Sequence, residues 1–304
     1  MKLTHRLTRE RHRIIKHGPA RYITDRLRLL GRLIFDAAWG LVFKVIFANS
    51  RFRAICQLYP QEISKLKFNY LALSFNKGER LRIFLNHYYF LKHHFLPEFV
   101  ARITEDEIVL WEHACEQSLY RICIELDAII FEGELSLILK ENDTPFYALA
   151  FAFVPSRIVA LPGRQALYIS RLQGARNALE SVHSATKAFN GLRPQEVLLA
   201  SARGVAQALQ VSTLAGVRTV DQLAFCRQKL CHTCSFFNYD RFWEDVGGTA
   251  ATPRVFSIPL TPQHPSDAST KHRTRKKIKY ETETQMIQHV RQTFKKECLK
   301  NNDQ

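Results

Sequence analysis

Around Ser118 the hydrophobic residues change period, and this change restricts the fold of the 304-residue chain more than any other feature. Tyr120, Ile122, Ile124 and Leu126 alternate with Arg121, Cys123, Glu125 and Asp127, the two-residue repeat of a half-buried strand. A second strand is predicted over Glu134 to Lys140. The turn residues Glu141-Asn142-Asp143-Thr144-Pro145 then lead into a third, Phe146 to Val154, so that these two form a hairpin. After Leu161-Pro162-Gly163 comes a fourth, Ala166 to Leu172. Arg193-Pro194 then places a proline at a helix start, and Leu198, Ala202, Val205 and Leu209 recur at helical spacing before the short apolar strand Thr213 to Val217. Strand, crossover helix and strand make a parallel unit. Antiparallel strands are therefore expected to pass into a parallel pair within one mixed sheet. Helices over about 221–230 and 238–246 and a last strand, Val255 to Leu260, complete it.

Upstream, residues 20–115 read as helical. Leu81, Phe84, Leu85, Tyr88 and Leu91 share one face, and Thr104 followed by acids predicts a helix over 104–116. Residues 261–279 are rich in Pro, Ser, Thr and Lys without apolar period and read as a linker; Ile287, Val290 and Phe294 mark a short basic helix after it. The expected organisation is α+β: a basic N-terminus and helical region over 1–116, packed on a mixed-sheet domain over 117–262, with a basic linker and C-terminal helix over 263–304.

The formal charge is +16, and it is concentrated at the ends. Lys2, Arg6, Arg9, Arg11, Arg13, Lys16, Arg21, Arg26, Arg28 and Arg32 face only Glu10 and Asp25, and residues 271–279 read KHRTRKKIK. Such a surface attracts phosphate, whether in a lipid head group, a nucleic acid or an anionic cofactor. The seven cysteines are odd in number and irregularly spaced, which argues for reduced thiols and a cytoplasmic home. No apolar run follows the basic start as in a secretory leader. The apolar stretch Leu29 to Ala48 is interrupted by Arg32, Asp36 and Lys44, so it reads as a core helix or as a helix lying on an anionic inner-membrane surface rather than a span.

The candidate sites are few. Gln173-Gly174-Ala175-Arg176 follows a predicted strand, and with Arg171 it would offer backbone N–H groups and guanidinium donors to a phosphate. Glu125, Asp127, Glu132 and Glu134 cluster beside strands, and Glu134 is the candidate general base. His87 and His94 share a helix face, and Cys226, Cys231, His232 and Cys234 lie close in sequence; neither set has the two ligand pairs of a zinc site, so no metal is assigned. A helix-turn-helix or an aromatic-studded basic strand is absent, which disfavours nucleic acid as partner.

Several segments in order resemble the VirK/YbjX family, whose shared region is a domain of unknown function. They are Asn86-His87-Tyr88, Gly133-Glu134-Leu135, Leu172-Gln173-Gly174, Ala185-Thr186-Lys187, Gly191-Leu192-Arg193-Pro194, the stretch from Tyr239 to Gly248, and the basic run ending at Tyr280. The resemblance implies a bacterial factor that supports the cell envelope, virulence and resistance to antimicrobial peptides. It supplies no established activity. The order of elements also resembles GCN5-related acyltransferases, which implies coenzyme A, or the phosphopantetheine of acyl carrier protein, at Arg171, Gln173, Gly174, Ala175 and Arg176. Arg176 departs from that pattern's Gly or Ala, residues 177–192 intervene before the helix, and Trp243 stands where that family commonly has an acid-donating Tyr. Acyl transfer to a lipid or protein is one reading. A non-enzymatic adaptor docking on anionic membrane or on envelope-biogenesis proteins is another, and nucleic-acid binding through the tails is a third.

Overall fold

The structure, a computed structural model, describes residues 44, 48, 53, 65, 68–105, 107–115, 118–129, 131–224, 237–264 and 273–300. The chain divides into two compact units, Met1–Arg53 and Ala54–Gln304. In the first, Lys44, Ala48 and Arg53 are helical and exposed. The basic N-terminus, most of Leu29 to Ala48, Cys56, and the segment holding Cys226, Cys231, His232 and Cys234 lie outside the described residues, as does most of the helix expected over 221–230. No helix of the described residues is long and apolar enough to cross a membrane.

The second unit is α+β. Its helices are α1 (Lys77–His94), α2 (Phe99–Glu105), α3 (Leu179–Ala188), α4 (Pro194–Ala208), α5 (Tyr239–Asp245) and α6 (Arg273–Cys298). Its strands are β1 (Ile108–Cys115), β2 (Ser118–Leu126), β3 (Leu135–Glu141), β4 (Thr144–Pro155), β5 (Gln165–Gly174), β6 (Thr213–Val217), β7 (Thr249–Thr252) and β8 (Val255–Ile258). They form one sheet in the order β1-β2-β3-β4-β5-β6-β8-β7. Every pairing is antiparallel except β5 with β6. That exception follows from the crossover through α4, and the expected parallel pair sits where the sequence put it. Strand β6 is buried along its whole length, as an apolar strand covered on both faces must be.

Local chemistry fixes the helix starts. Asn76 Oδ1 accepts from Glu79 N at 3.0 Å while the Glu79 carboxylate accepts from Asn76 N at 2.8 Å, so two orphan donors at the head of α1 are satisfied reciprocally. Helix α1 then buries Ile83, Phe84, His87, Tyr88 and Leu91, and it packs on β4.

Two expectations are corrected. The helix expected over 104–116 is strand β1, because Thr104 closes the last turn of α2 instead of opening a new one. Its hydroxyl donates to the carbonyls of Val100 and Ala101. Ile108 and Leu110 then alternate inward, and Glu112 is held opposite Arg121 of β2, so the sheet begins at Ile108. The second correction is the linker: α6 already starts at Arg273 and runs 26 residues. In its second half Met286, Ile287, Val290, Phe294 and Cys298 are buried. Its polar first half is held on α4 by Lys279–Glu196 and Arg203–Glu283. At Gly204 the two helices come so close that a Cβ would stand 2.7 Å from the Ile287 carbonyl oxygen.

Candidate functional site

Glu134 lies at the entry to β3, 3% exposed. Lys65 Nζ donates to its Oε2 at 3.1 Å and to the Gly133 carbonyl at 3.1 Å. The Tyr88 hydroxyl donates to Oε2 at 2.7 Å, and the Tyr70 hydroxyl donates to Oε1. Burial alone would raise the Glu134 carboxyl, but Lys65, His87 and the two phenols outweigh it and hold the group below its ordinary range. Both oxygens therefore receive donors, and this is the chemistry of a buried structural ion pair. Next to it His87 accepts the Phe153 N–H on Nδ1 at 3.1 Å and stacks on the Phe153 ring, with the planes 13° apart. Burial, partly offset by Glu134 and reinforced by Lys65, lowers the His87 imidazole to about 4.

Arg171 points inward from β5. Its guanidinium pairs with Asp127 and lies 3.2 Å from Glu132 Oε2, while Ser136 donates to Asp127 at 2.7 Å. At 6% exposure it is committed to these carboxylates. Gly174 continues the β4–β5 ladder opposite Tyr147, and the Ala175 N–H donates to the Phe146 carbonyl at 2.8 Å. Gln173, Ala175 and Arg176 are exposed. The structure thus brings four of the five candidate anion-binding residues to one strand end and turns Arg171 away into the core.

The parallel strands pair only from Ala166–Thr213 to Ile169–Gly216. Beyond that point helix α5 fills the gap. The Tyr239 hydroxyl accepts from Leu172 N at 3.0 Å and donates to Leu172 O at 3.2 Å, and Trp243 Nε1 donates to Val217 O at 2.8 Å. Gly216 is required there, since a Cβ would meet Trp243 Cε2 at 2.5 Å. Helix α4 is capped by its own sequence: the Glu196 carboxylate accepts from Arg193 N at 2.8 Å and from Lys279 Nζ at 2.8 and 2.9 Å. Burial raises the Glu196 carboxyl and these donors lower it further, so an anion already occupies this helix start.

A cluster of basic residues lies one step away. Helix α3 ends through Asn190 (φ 54°) and Gly191 (φ 88°), with Gly191 N donating to Thr186 O at 2.8 Å. This turn lays the chain against the first turns of α6, where the Arg275 guanidinium comes within 3.8 Å of where a Gly191 Cβ would stand. Between α3, the turn and α6 runs an open groove of about 890 Å³. His183, Lys187, Arg193 and Arg275 line it with Val182 and Ile278, and no carboxylate of the described residues does. Arg275 and His183 make no ion pair among the described residues. A smaller cleft of about 400 Å³ on another face of α6 contrasts with it, because there Arg203 meets Glu283 and Lys279 meets Glu196.

Sequence reading missed this groove as a site, although it singled out three segments that build it: Ala185-Thr186-Lys187, Gly191-Leu192-Arg193-Pro194 and the basic run of 271–279. The available signal was cations recurring in all three segments. What was lacking was the turn that brings them together.

No solved structure matches this chain. An uncharacterized protein of Escherichia coli K12, YbjX, is 24% identical over 155 residues, 49% of this chain and 46% of its own length. An uncharacterized protein of Haemophilus influenzae Rd is 29% identical over 171 residues, 53% of each. The chain spans about half the length of the curated relatives it matches. The family pattern described as a protein of unknown function, DUF535, matches residues 19–296, and the chain belongs to that family, the VirK/YbjX proteins.

Proposed function

We propose that this chain is a non-enzymatic docking protein of the bacterial envelope, which holds to an anionic membrane surface through the basic groove between α3 and α6. The observation that carries this reading is the convergence of His183, Lys187, Arg193 and Arg275 on one open groove with no carboxylate among the described residues of its lining. Exposed Leu179 stands one turn before Val182 and His183, and Ile278 is 43% exposed beside Arg275, so apolar side chains border the cations. That combination suits a lipid interface, where charge attracts and apolar groups anchor. The basic residues between Lys2 and Arg32 would add to the attraction in the full chain. Acyl transfer finds less support, since Arg171 is committed to Asp127, Tyr239 fills the divergence of β5 and β6, and Glu196 occupies the start of α4.

Each basic residue near an anionic surface contributes about 1 kcal/mol, fading within a Debye length of roughly 8–10 Å at physiological salt. Reversing Lys187 and Arg275 to Glu should therefore weaken binding to vesicles of phosphatidylcholine and an anionic phospholipid by at least about 100-fold. Sedimentation of the full chain at low and high salt measures this. Equal binding to neutral vesicles, or binding untouched by the double reversal, would overturn the groove's role.

A further inference from the structure

We infer that the groove seats the phosphomonoester headgroup of a single membrane lipid, a saturable site and not a diffuse cationic patch. This rests on the docking reading above and adds its ligand. The basic side chains come from three separate elements: His183 and Lys187 from successive turns of α3, Arg193 from the residue before α4, and Arg275 from the first turn of α6. Their placement is fixed by packing. The Asn190–Gly191 turn sits against Arg275, and the Asn190 amide donates to Thr282 Oγ1 of α6 at 3.0 Å. Arg193 has Glu196 behind it at 3.3 Å, which leaves Arg275 and His183 without an anion among the described residues.

Charge number then separates the ligands. A phosphomonoester carries about −1.5 to −2 at neutral pH and offers three acceptor oxygens. A phosphodiester carries about −1, with two free oxygens. Guanidinium groups fixed around one space favour the former, because each added oxygen can take a charge-assisted hydrogen bond. Thr274 also borders the groove and brings a hydroxyl, whereas the Thr186 hydroxyl donates to the Val182 carbonyl at 2.6 Å. The lining further points to a lipid source, since a groove of about 890 Å³ with Val182 and Ile278 in its wall is larger and more apolar than inorganic phosphate requires.

The test uses the full chain and phosphatidylcholine vesicles carrying either phosphatidic acid or phosphatidylglycerol, matched for zeta potential. Binding to the phosphatidic acid vesicles should be at least about tenfold tighter. Arg275→Ala and Lys187→Ala, both at exposed positions, should remove that preference and leave the salt-sensitive residue of binding. Equal binding to both lipids would leave docking in place and refute the headgroup site, whereas binding to neither would refute both. Calorimetry with dihexanoyl phosphatidic acid against inorganic phosphate identifies the source. Equal affinity for the two would mean that the groove takes free phosphate, and the lipid assignment would fall.

Discussion

His87 should make the stability of this protein depend on pH in a window where few other groups act. The ring is 1% exposed, between Tyr88 and Phe153, and its Nδ1 accepts the Phe153 N–H at 3.1 Å. Protonation at Nδ1 would abolish that bond and place a cation beside the Lys65 ammonium, relieved only by the carboxylate of Glu134. The folded imidazole therefore titrates at about 4, against about 6.5 in an unfolded chain. The folded value is the lower one, so between these two values the unfolded chain binds the proton and the native chain does not. Stability from this source is complete above pH 6.5 and falls as the pH falls. Integrated down to pH 4.5, the loss is about 2.5 kcal/mol. Glu134 does not blur the window: its folded value is depressed, so its contribution is lost only below the ordinary carboxylate range.

The assay is urea unfolding followed by near-ultraviolet circular dichroism at steps from pH 7.5 to 4.5. The comparison is His87→Asn, whose Oδ1 can still accept the Phe153 N–H but carries no proton in this range. The variant should be less stable at pH 7.5 by about 1–3 kcal/mol, because the stacked ring is lost, and its stability should fall less steeply toward acid. If both proteins lose stability in parallel between pH 6.5 and 4.5, His87 is not the linked group and the argument fails.

Three further substitutions test the packing around the sites. Lys65→Met leaves the Glu134 carboxylate buried without its ammonium and should cost about 3–5 kcal/mol by urea midpoint, while Lys65→Met with Glu134→Leu should recover most of it. Tyr239→Phe strips the hydroxyl shared by Leu172 N and O and should cost about 1–3 kcal/mol in the same measurement; no loss would mean that β5 finds another partner there. Gly216→Ala forces a methyl to within 2.5 Å of Trp243 and should cost about 1–3 kcal/mol, with a changed Trp fluorescence maximum as the indole shifts.

Much of the sheet was legible because its signal is local. The alternation from Tyr120 to Leu126, the run Phe146 to Val154 and the proline at position 194 each report on their own segment, and β2, β4 and the head of α4 follow them. Strand β1 was not legible, because acids after Thr104 imitate a helix start and the partner that makes 108–115 a strand is β2. Strand β7 has the sequence TAAT, three of its residues exposed, and carries no apolar pattern to find. The first half of α6 lacked apolar period for a related reason: ion pairs to α4 hold it there, and a charge in sequence does not name its partner. The same holds at Glu134. The acid itself was visible, but its donors Lys65, Tyr70 and Tyr88 lie 69, 64 and 46 residues away.

The two cation classes on α6 explain why the proposed docking groove can sit beside so many neutralised charges. Lys279 is bound by Glu196, and the α4 residue Arg203 is bound by Glu283 of α6, so these pairs clamp the two helices face to face. Gly204 removes the side chain that would hold the backbones apart, and Ile287 and Val290 come down on it. Exposed ion pairs of this kind are worth little singly, but Arg203 is 1% exposed and Glu196 is 9% exposed, so here they fix register as well as proximity. Once that register is set, the residue before α4 and the first turn of α6 have no freedom to separate. Arg275 is then held at the groove by a clamp it takes no part in, while Arg193 is held there by Glu196, itself one member of the clamp. A cation left without a carboxylate on such a frame keeps both its charge and its position, and those are the two properties that recognition of an anion requires.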